Sequence, residues 1–195
     1  MNARHVVVIA GPSGSGESTI TNEVVERYPT EVRRLVTATT RSPRAGERNG
    51  KDYYFFSKEE FEEEREKGNI PECTYIKNRD TYYGSYLPDL KRKLDEGYIV
   101  IVNPDIVGAK YYKEHFAAAS IFIVPDSIDT LERRIRERNP ELPEEEVVKR
   151  KENARAEMEH ERSFYDYVVT NADGELNKTV SEVIAILKKE GYTLA

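Results

Sequence analysis

Three features of the sequence predict an α/β fold, a three-layer α/β sandwich built around a mostly parallel sheet. Short apolar runs at Val6–Ala10, Ile99–Val102 and Ile121–Val124 are rich in β-branched residues and suit strands buried on both faces. Between them lie stretches whose apolar residues recur at the three-to-four spacing of helices packed against a sheet. The first run breaks into Gly11-Pro12-Ser13-Gly14-Ser15-Gly16 immediately before such a helix, giving a strand–loop–helix opening unit. The length of 195 residues suits one domain with inserted lids. Charged residues reach 34%, yet 30 Lys+Arg against 36 Asp+Glu leave a net charge of −6. Such a chain lacks the clustered basic face that nucleic-acid binding needs. The apolar runs argue against disorder, and none approaches the roughly 18–20 residues that span a bilayer. Val6–Ala10 is too short for a secretory signal, and the single Cys73 forms no internal disulfide, so a reducing, cytoplasmic setting is expected.

In chain order, strand Val6–Ala10 leads through the glycine loop into a helix over Ser18–Tyr28, with Ile20, Val24, Val25 and Tyr28 on one face. Leu35–Thr40 reads as extended, followed by a loop rich in Arg, Gly and Pro from Arg41 to Lys51. Tyr53–Phe56 reads as a strand and Lys58–Lys67 as an acidic helix, with Ser57 and Glu60 spaced as a capping box. Tyr75, Tyr82, Tyr83 and Tyr86 punctuate short strands and turns. Helix Leu87–Glu96 then precedes strand Tyr98–Asn103, and a further helix precedes strand Ser120–Val124. Charged helices over Ile128–Arg138 and Pro143–Glu161 meet near Asn139-Pro140. Strand Tyr167–Thr170 and the amphipathic helix Leu176–Glu190 close the chain. This gives a core of residues 1–34, 91–138 and 151–195, interrupted by polar inserts at 35–90 and 139–150 that would close over a ligand.

Two constellations carry chemistry. Gly11–Thr19 follows the phosphate-loop pattern, two glycines separated by four residues before a helix. Backbone N–H groups and the helix N-terminus favour phosphate oxygens there, and Ser18 is placed to face a magnesium ion. Glu17 stands where that pattern carries lysine, removing a cation and adding an anion beside the phosphates. The alternative is a glycine turn that merely joins strand to helix. The second constellation runs from Thr37 to Tyr53, where Arg41 and Arg44, three apart in a proline-restricted loop, suit a clamp on a second phosphate.

Thr39-Thr40-Arg41-Ser42-Pro43-Arg44-Ala45-Gly46-Glu47, continuing through Gly50 and Asp52-Tyr53-Tyr54-Phe55, carries every fixed position of TTRxPRxGExxGxDYxF. With the acidic Glu72 and then Tyr83-Gly84-Ser85, this pattern resembles the guanylate kinase family, and the likeness runs from about Val6 to about Lys188. The resemblance implies a nucleoside monophosphate kinase fold with core, GMP-binding and lid regions, using ATP with Mg²⁺ and acting as a monomer or homodimer without nucleic acid or membrane. It further implies that Arg41, Arg44, Tyr53 and Tyr83 hold the GMP phosphate, while Glu72, Ser85 and Thr37 read guanine. A carboxylate accepts from N1–H and the exocyclic amine, and a hydroxyl donates to O6; adenine offers the wrong edge for both. The ATP side would comprise Gly11, Ser13, Gly14, Ser15, Gly16, Glu17, Ser18 and Thr19, with Asn171 at the position that meets adenine. Arg134, Arg138 and Arg150 match the lid arginines that, with Arg41 and Asp105, would serve catalysis; Asp105 would also meet GMP. For the arginines the alternative is a solvated charged face.

Departures gather after the strand run Tyr98–Val102. The family's LDxDxQG run here reads Val102-Asn103-Pro104-Asp105-Ile106-Val107-Gly108, so Asn103 replaces the first aspartate and Val107 the glutamine. His5, His115 and His160 are not spaced as ligands or as a base. The expected activity is ATP + GMP ⇌ ADP + GDP. A binding module that has lost catalysis and recognises GMP or a phosphopeptide is the alternative, favoured by Glu17 and Asn103.

Overall fold

A computed structural model describes residues 5–195. Five strands form one all-parallel sheet: β1 (Val6–Ala10), β2 (Val32–Arg34), β7 (Ile99–Val102), β8 (Ala119–Pro125) and β9 (Tyr167–Asn171), in spatial order β2-β7-β1-β8-β9. Strand alternation divides the core between its two faces. Val7 and Ile9 of β1 pack with Ile20 and Val24 of α1 (Glu17–Arg27) and with Val180, Val183 and Leu187 of α7 (Leu176–Lys189). Val6, Val8 and Ala10 face the other way, onto Leu90 of α3 (Leu87–Asp95) and Ala109 and Tyr112 of α4 (Ile106–Phe116). Helix, sheet, helix: the three layers are those expected.

One core strand was not anticipated. Val32–Arg34 forms the β2 edge, pairing with Ile99–Ile101 of β7. Two of its three residues are arginines, so hydrophobic pattern alone gives no strand signal there. Conversely, only Ala38–Thr39 (β3) of the expected extended run 35–40 is a strand, and it belongs to a second sheet. That mixed sheet has the order β4-β3-β6-β5, with β4 at Tyr54–Phe55, β5 at Cys73–Ile76 and β6 at Thr81–Gly84. Tyr54 and Tyr82 of this sheet pack in one cluster with Phe61 of α2 (Lys58–Glu66), whose N-terminus carries the expected capping box from Ser57 and Glu60. Helices α5 (Ile128–Arg138) and α6 (Glu144–His160) pack through Leu131, Ile135 and Ala154. No helix among the described residues is long and apolar enough to cross a membrane.

The second sheet is fastened to the core by buried charge. Asp89 on α3, 1% exposed, accepts from the Val36 backbone N–H at 2.9 Å, from the Tyr54 hydroxyl at 3.2 Å and from Arg92 at 2.7 Å. Lys93, 6% exposed, donates to Asp89 and also to the Arg34 carbonyl at 2.6 Å. One acid–base pair on a core helix thus holds both the chain entering the second sheet and one of its strands.

Candidate active site

The glycine loop between β1 and α1 has the backbone that phosphate binding needs. Gly14 and Gly16 have φ of 96° and 95°, in the left-handed region where a side chain is strained. A Cβ on Gly11 would lie 2.3 Å from the Ile123 carbonyl oxygen. Asn171, at the end of β9, donates from Nδ2 to the Ser15 carbonyl at 2.8 Å and fixes the loop from behind. That amide nitrogen is therefore engaged by the loop itself. The loop opens on a cavity of about 1010 Å³, lined also by Asn103, Asp105, Arg134, Arg138, Glu157 and Glu161.

Glu17 enters α1 at this wall. Burial first, then the neighbouring Glu157, pushes its carboxyl up to about 8, while Arg34 and Arg138 pull the other way. Glu157 is itself raised to about 7 by burial and by Glu161 and Asp105. Near neutral pH Glu17 therefore holds its proton, and the anion foreseen at this position is largely suppressed. Neither Glu157 nor Glu161 was singled out from the sequence. Glu157 lies in α6 and Glu161 caps its end, in a stretch whose alternating charges read as a solvated face; only the fold turns Glu157 toward Glu17 and places both on the cavity wall.

The arginines differ in their surroundings. Arg134 donates to the Asn171 carbonyl at 3.1 Å and lies 3.6 Å from Asp173, but its Nη1 is buried without a partner. Arg138 is exposed on the cavity wall. Arg150 is not among the cavity residues; it pairs with Glu146 at 3.2 Å one turn away.

The second sheet assembles the other constellation. Arg41 forms a two-pronged pair with Glu47, at 2.6 and 2.7 Å, and lies over the Tyr53 ring at 4.9 Å. The Tyr53 and Tyr83 rings meet edge to face at 5.9 Å. The bonds from Arg41, and one from the Arg44 backbone N–H, hold the Glu47 carboxyl down at about 2. Glu47 belongs to the sequence pattern, but no role for it was read there. The Arg44 side chain is exposed, and the Thr37 carbonyl accepts from the Tyr54 N–H at 2.9 Å.

Glu72 and Ser85 come together. The Ser85 backbone N–H donates to Glu72 Oε1 at 3.1 Å, and a Cβ on Gly108 of α4 would lie 3.1 Å from the Glu72 carboxyl carbon. Burial raises the Glu72 carboxyl, opposed by its bond from Ser85. Asp105 caps α4, accepting from the N–H groups of Val107 and Gly108 at 3.0 and 3.1 Å, and its other oxygen accepts from the Thr74 hydroxyl of β5. It therefore ties the second sheet to the core. Asn103 donates to the Ile9 carbonyl and to Thr21 Oγ1, both at 2.9 Å. An aspartate there could not donate to that carbonyl, which gives the departure from the family pattern a physical reason.

The guanylate kinase family profile matches residues 3–190. The chain belongs to the guanylate kinase family. A guanylate kinase of Caldanaerobacter subterraneus is 39% identical over 186 residues, covering 95% of this chain and 87% of that protein. One from Prochlorococcus marinus is 36% identical over 188 residues, covering 96% and 98%. The crystal structure of guanylate kinase from Anaplasma phagocytophilum superposes with a TM-score of 0.72 at 29% identity, covering 98% of this chain and 88% of that one.

Kinases of this kind use ATP with a divalent ion, and the residues present suit an ion carried mainly by the nucleotide. Asn103 Oδ1 is a buried acceptor with no partner, Ser18 offers a hydroxyl in the first turn of α1, and both line the cavity. Among the described residues no group of three His, Cys, Asp or Glu side chains could hold a metal by itself. Few, hard oxygen donors match Mg²⁺, which keeps its waters and phosphate ligands.

Proposed function

We propose that the chain transfers the terminal phosphoryl group of ATP to GMP, giving ADP and GDP. The observation that carries this reading is the Glu72–Ser85 pair, a carboxylate and hydroxyl complementary to the guanine edge, flanking strands of the same sheet that presents the Arg41–Tyr53–Tyr83 cluster. A site that hydrogen-bonds one base edge rejects others because its own polar groups would be left unpaired. Arg41, Arg44, Tyr53 and Tyr83 hold the GMP phosphate, with Glu72, Ser85 and Thr37 on the base and Asp105 bracing β5 beside it.

The loop Gly11–Thr19 receives the polyphosphate on its N–H groups, with Asn171 behind it. Ser18 and Asn103 would hold Mg²⁺, which would supply charge neutralisation to the transferring phosphates. Arg134 contributes the unpartnered Nη1, and Arg138 reaches in from the cavity wall. Arg150 leaves Glu146 when the lid segment 139–150 closes and water is excluded. Glu17, protonated, presents a neutral O–H to the phosphates instead of an ammonium.

A coupled assay of ADP release on addition of GMP, AMP, CMP or UMP tests the reading, which requires GMP to be preferred strongly. GMP binding without ADP release at any pH would instead identify a binding module.

A further inference from the structure

Gly108 lies buried in the first turn of α4, and its φ is outside the left-handed region, so its conformation does not call for glycine. Inside a helix glycine is less favourable than alanine, because it loses more backbone freedom on folding. The surroundings supply the reason for it. A Cβ at this position would stand 2.6 Å from Pro104 Cβ, 3.1 Å from the Glu72 carboxyl carbon and 3.2 Å from Glu72 Oε1. Carbon atoms in contact keep about 3.5–4.0 Å apart, so no side chain fits there while Pro104 and Glu72 stay in place.

The other end of Glu72 is seated in the same way. Its main-chain carbonyl oxygen would lie 2.7 Å from a Cβ on Gly84, the last residue of β6, and its Oε1 accepts from the Ser85 N–H at 3.1 Å. One glycine on the second sheet thus makes room for the backbone of Glu72, and one on a core helix makes room for its carboxyl. Contact with the first turn of α4 also favours the ionised carboxyl, because a helix N-terminus carries partial positive charge. Only that form accepts through both oxygens.

We propose that Gly108 is a positioning residue for base recognition: the notch it leaves beside Pro104 sets the depth at which the Glu72 carboxylate meets guanine. Accepting from N1–H and from the exocyclic 2-amine together needs both oxygens aligned with one edge of the base. A methyl group at position 108 displaces the carboxylate by a few tenths of an ångström, and one of the two bonds is then kept at the expense of the other. The 2-amine, which GMP carries and IMP lacks, is therefore read through Gly108. This inference rests on the GMP reading given above.

The test is calorimetry of GMP and IMP, without ATP, in the intact protein and in Gly108→Ala. The intact protein is expected to bind GMP at least about tenfold more tightly than IMP, the worth of one hydrogen bond to a charged group. Gly108→Ala should cut that preference to no more than about threefold, with KM for ATP within about twofold of the intact value. Because the methyl also meets Pro104, the pair Pro104→Gly and Pro104→Gly/Gly108→Ala repeats the comparison with that obstacle gone. The double variant should melt as Pro104→Gly does and still show the reduced preference. In a Glu72→Gln background, Gly108→Ala should change the preference no further, because the effect passes through Glu72. An equal reduction in that background, or a preference that the double variant keeps, overturns the role of Gly108 and leaves the GMP reading standing. Equal affinities for GMP and IMP in the intact protein would instead end the GMP reading, and this proposal with it.

Discussion

Replacing Glu17 with glutamine keeps the shape of the protonated acid and removes its titration. The carboxyl stands at about 8 because burial and Glu157 oppose its charge. With only the protonated form accepting the polyphosphate, about 97% of the protein is competent at pH 6.5 and about 9% at pH 9. The intact protein should therefore lose about tenfold in kcat/KM for ATP across that range, roughly 1.4 kcal/mol of transition-state stabilisation. Glu17→Gln should match it within about twofold at pH 6.5 and lack that component of the alkaline fall. Ionisation of the nucleotides is common to both proteins and cancels in their ratio. Stability follows the same titration. The folded-state value lies above the ordinary 4.5, so the folded protein binds the extra proton. The resulting stability is complete below about pH 4.5 and is lost as pH rises through about 8. At about 1.4 kcal/mol per pH unit the ceiling is near 5 kcal/mol. Water in the open cavity screens the group, so Glu17→Gln should gain about 1–2 kcal/mol over the intact protein at pH 9 and nothing at pH 4. Initial rates with ATP varied at saturating GMP, and urea melts at the two pH extremes, measure both effects. Parallel rate–pH profiles would refute the assignment of the titrating acid to Glu17. As a second arm, Glu17→Lys should raise kcat/KM for ATP by at least about tenfold at pH 9, with KM for GMP hardly moved.

Glu72→Gln should lose roughly 1–3 kcal/mol of GMP binding in calorimetry without ATP, the range for a broken charged hydrogen bond, while AMP binding changes little. Asp89→Asn removes the partner of the buried Lys93 and should cost about 3–5 kcal/mol in denaturant unfolding; a loss below 1 kcal/mol would mean that the fastening of the second sheet lies elsewhere. Amide exchange across residues 132–162 should slow when a bisubstrate analogue is bound, and unchanged exchange would leave Arg138 and Arg150 as a solvated face.

The parallel sheet was legible because its central strands are uniform apolar runs, and the glycine loop because left-handed positions demand glycine. The edge strand Val32–Arg34 was not legible, since an edge tolerates the charged residues that erase a strand pattern. In the site, Arg41 could be read from its spacing with Arg44, whereas Tyr53, Tyr83, Glu72 and Ser85 were named through the family resemblance; the fold brings Arg41 to Tyr53 and Glu72 to Ser85. The Glu17–Glu157 encounter could not be read, because it joins the first helix to the sixth and depends on how α6 lies across the cavity.

The Arg41–Glu47 pair has a consequence for what the second sheet will admit. Its guanidinium is not bare in the empty protein; a resident carboxylate already occupies both prongs. An incoming anion must compete with that placeholder, which is covalently tethered and always at hand. Weak, singly charged ions from solution compete poorly, whereas in the proposed reading a phosphate monoester would bring two charges and recruit Arg44 and the tyrosine hydroxyls as well. The pair thus sets a threshold of charge and shape at the entrance, so that the clamp stays quiet in ordinary saline and yields to the guest able to outbid its own glutamate.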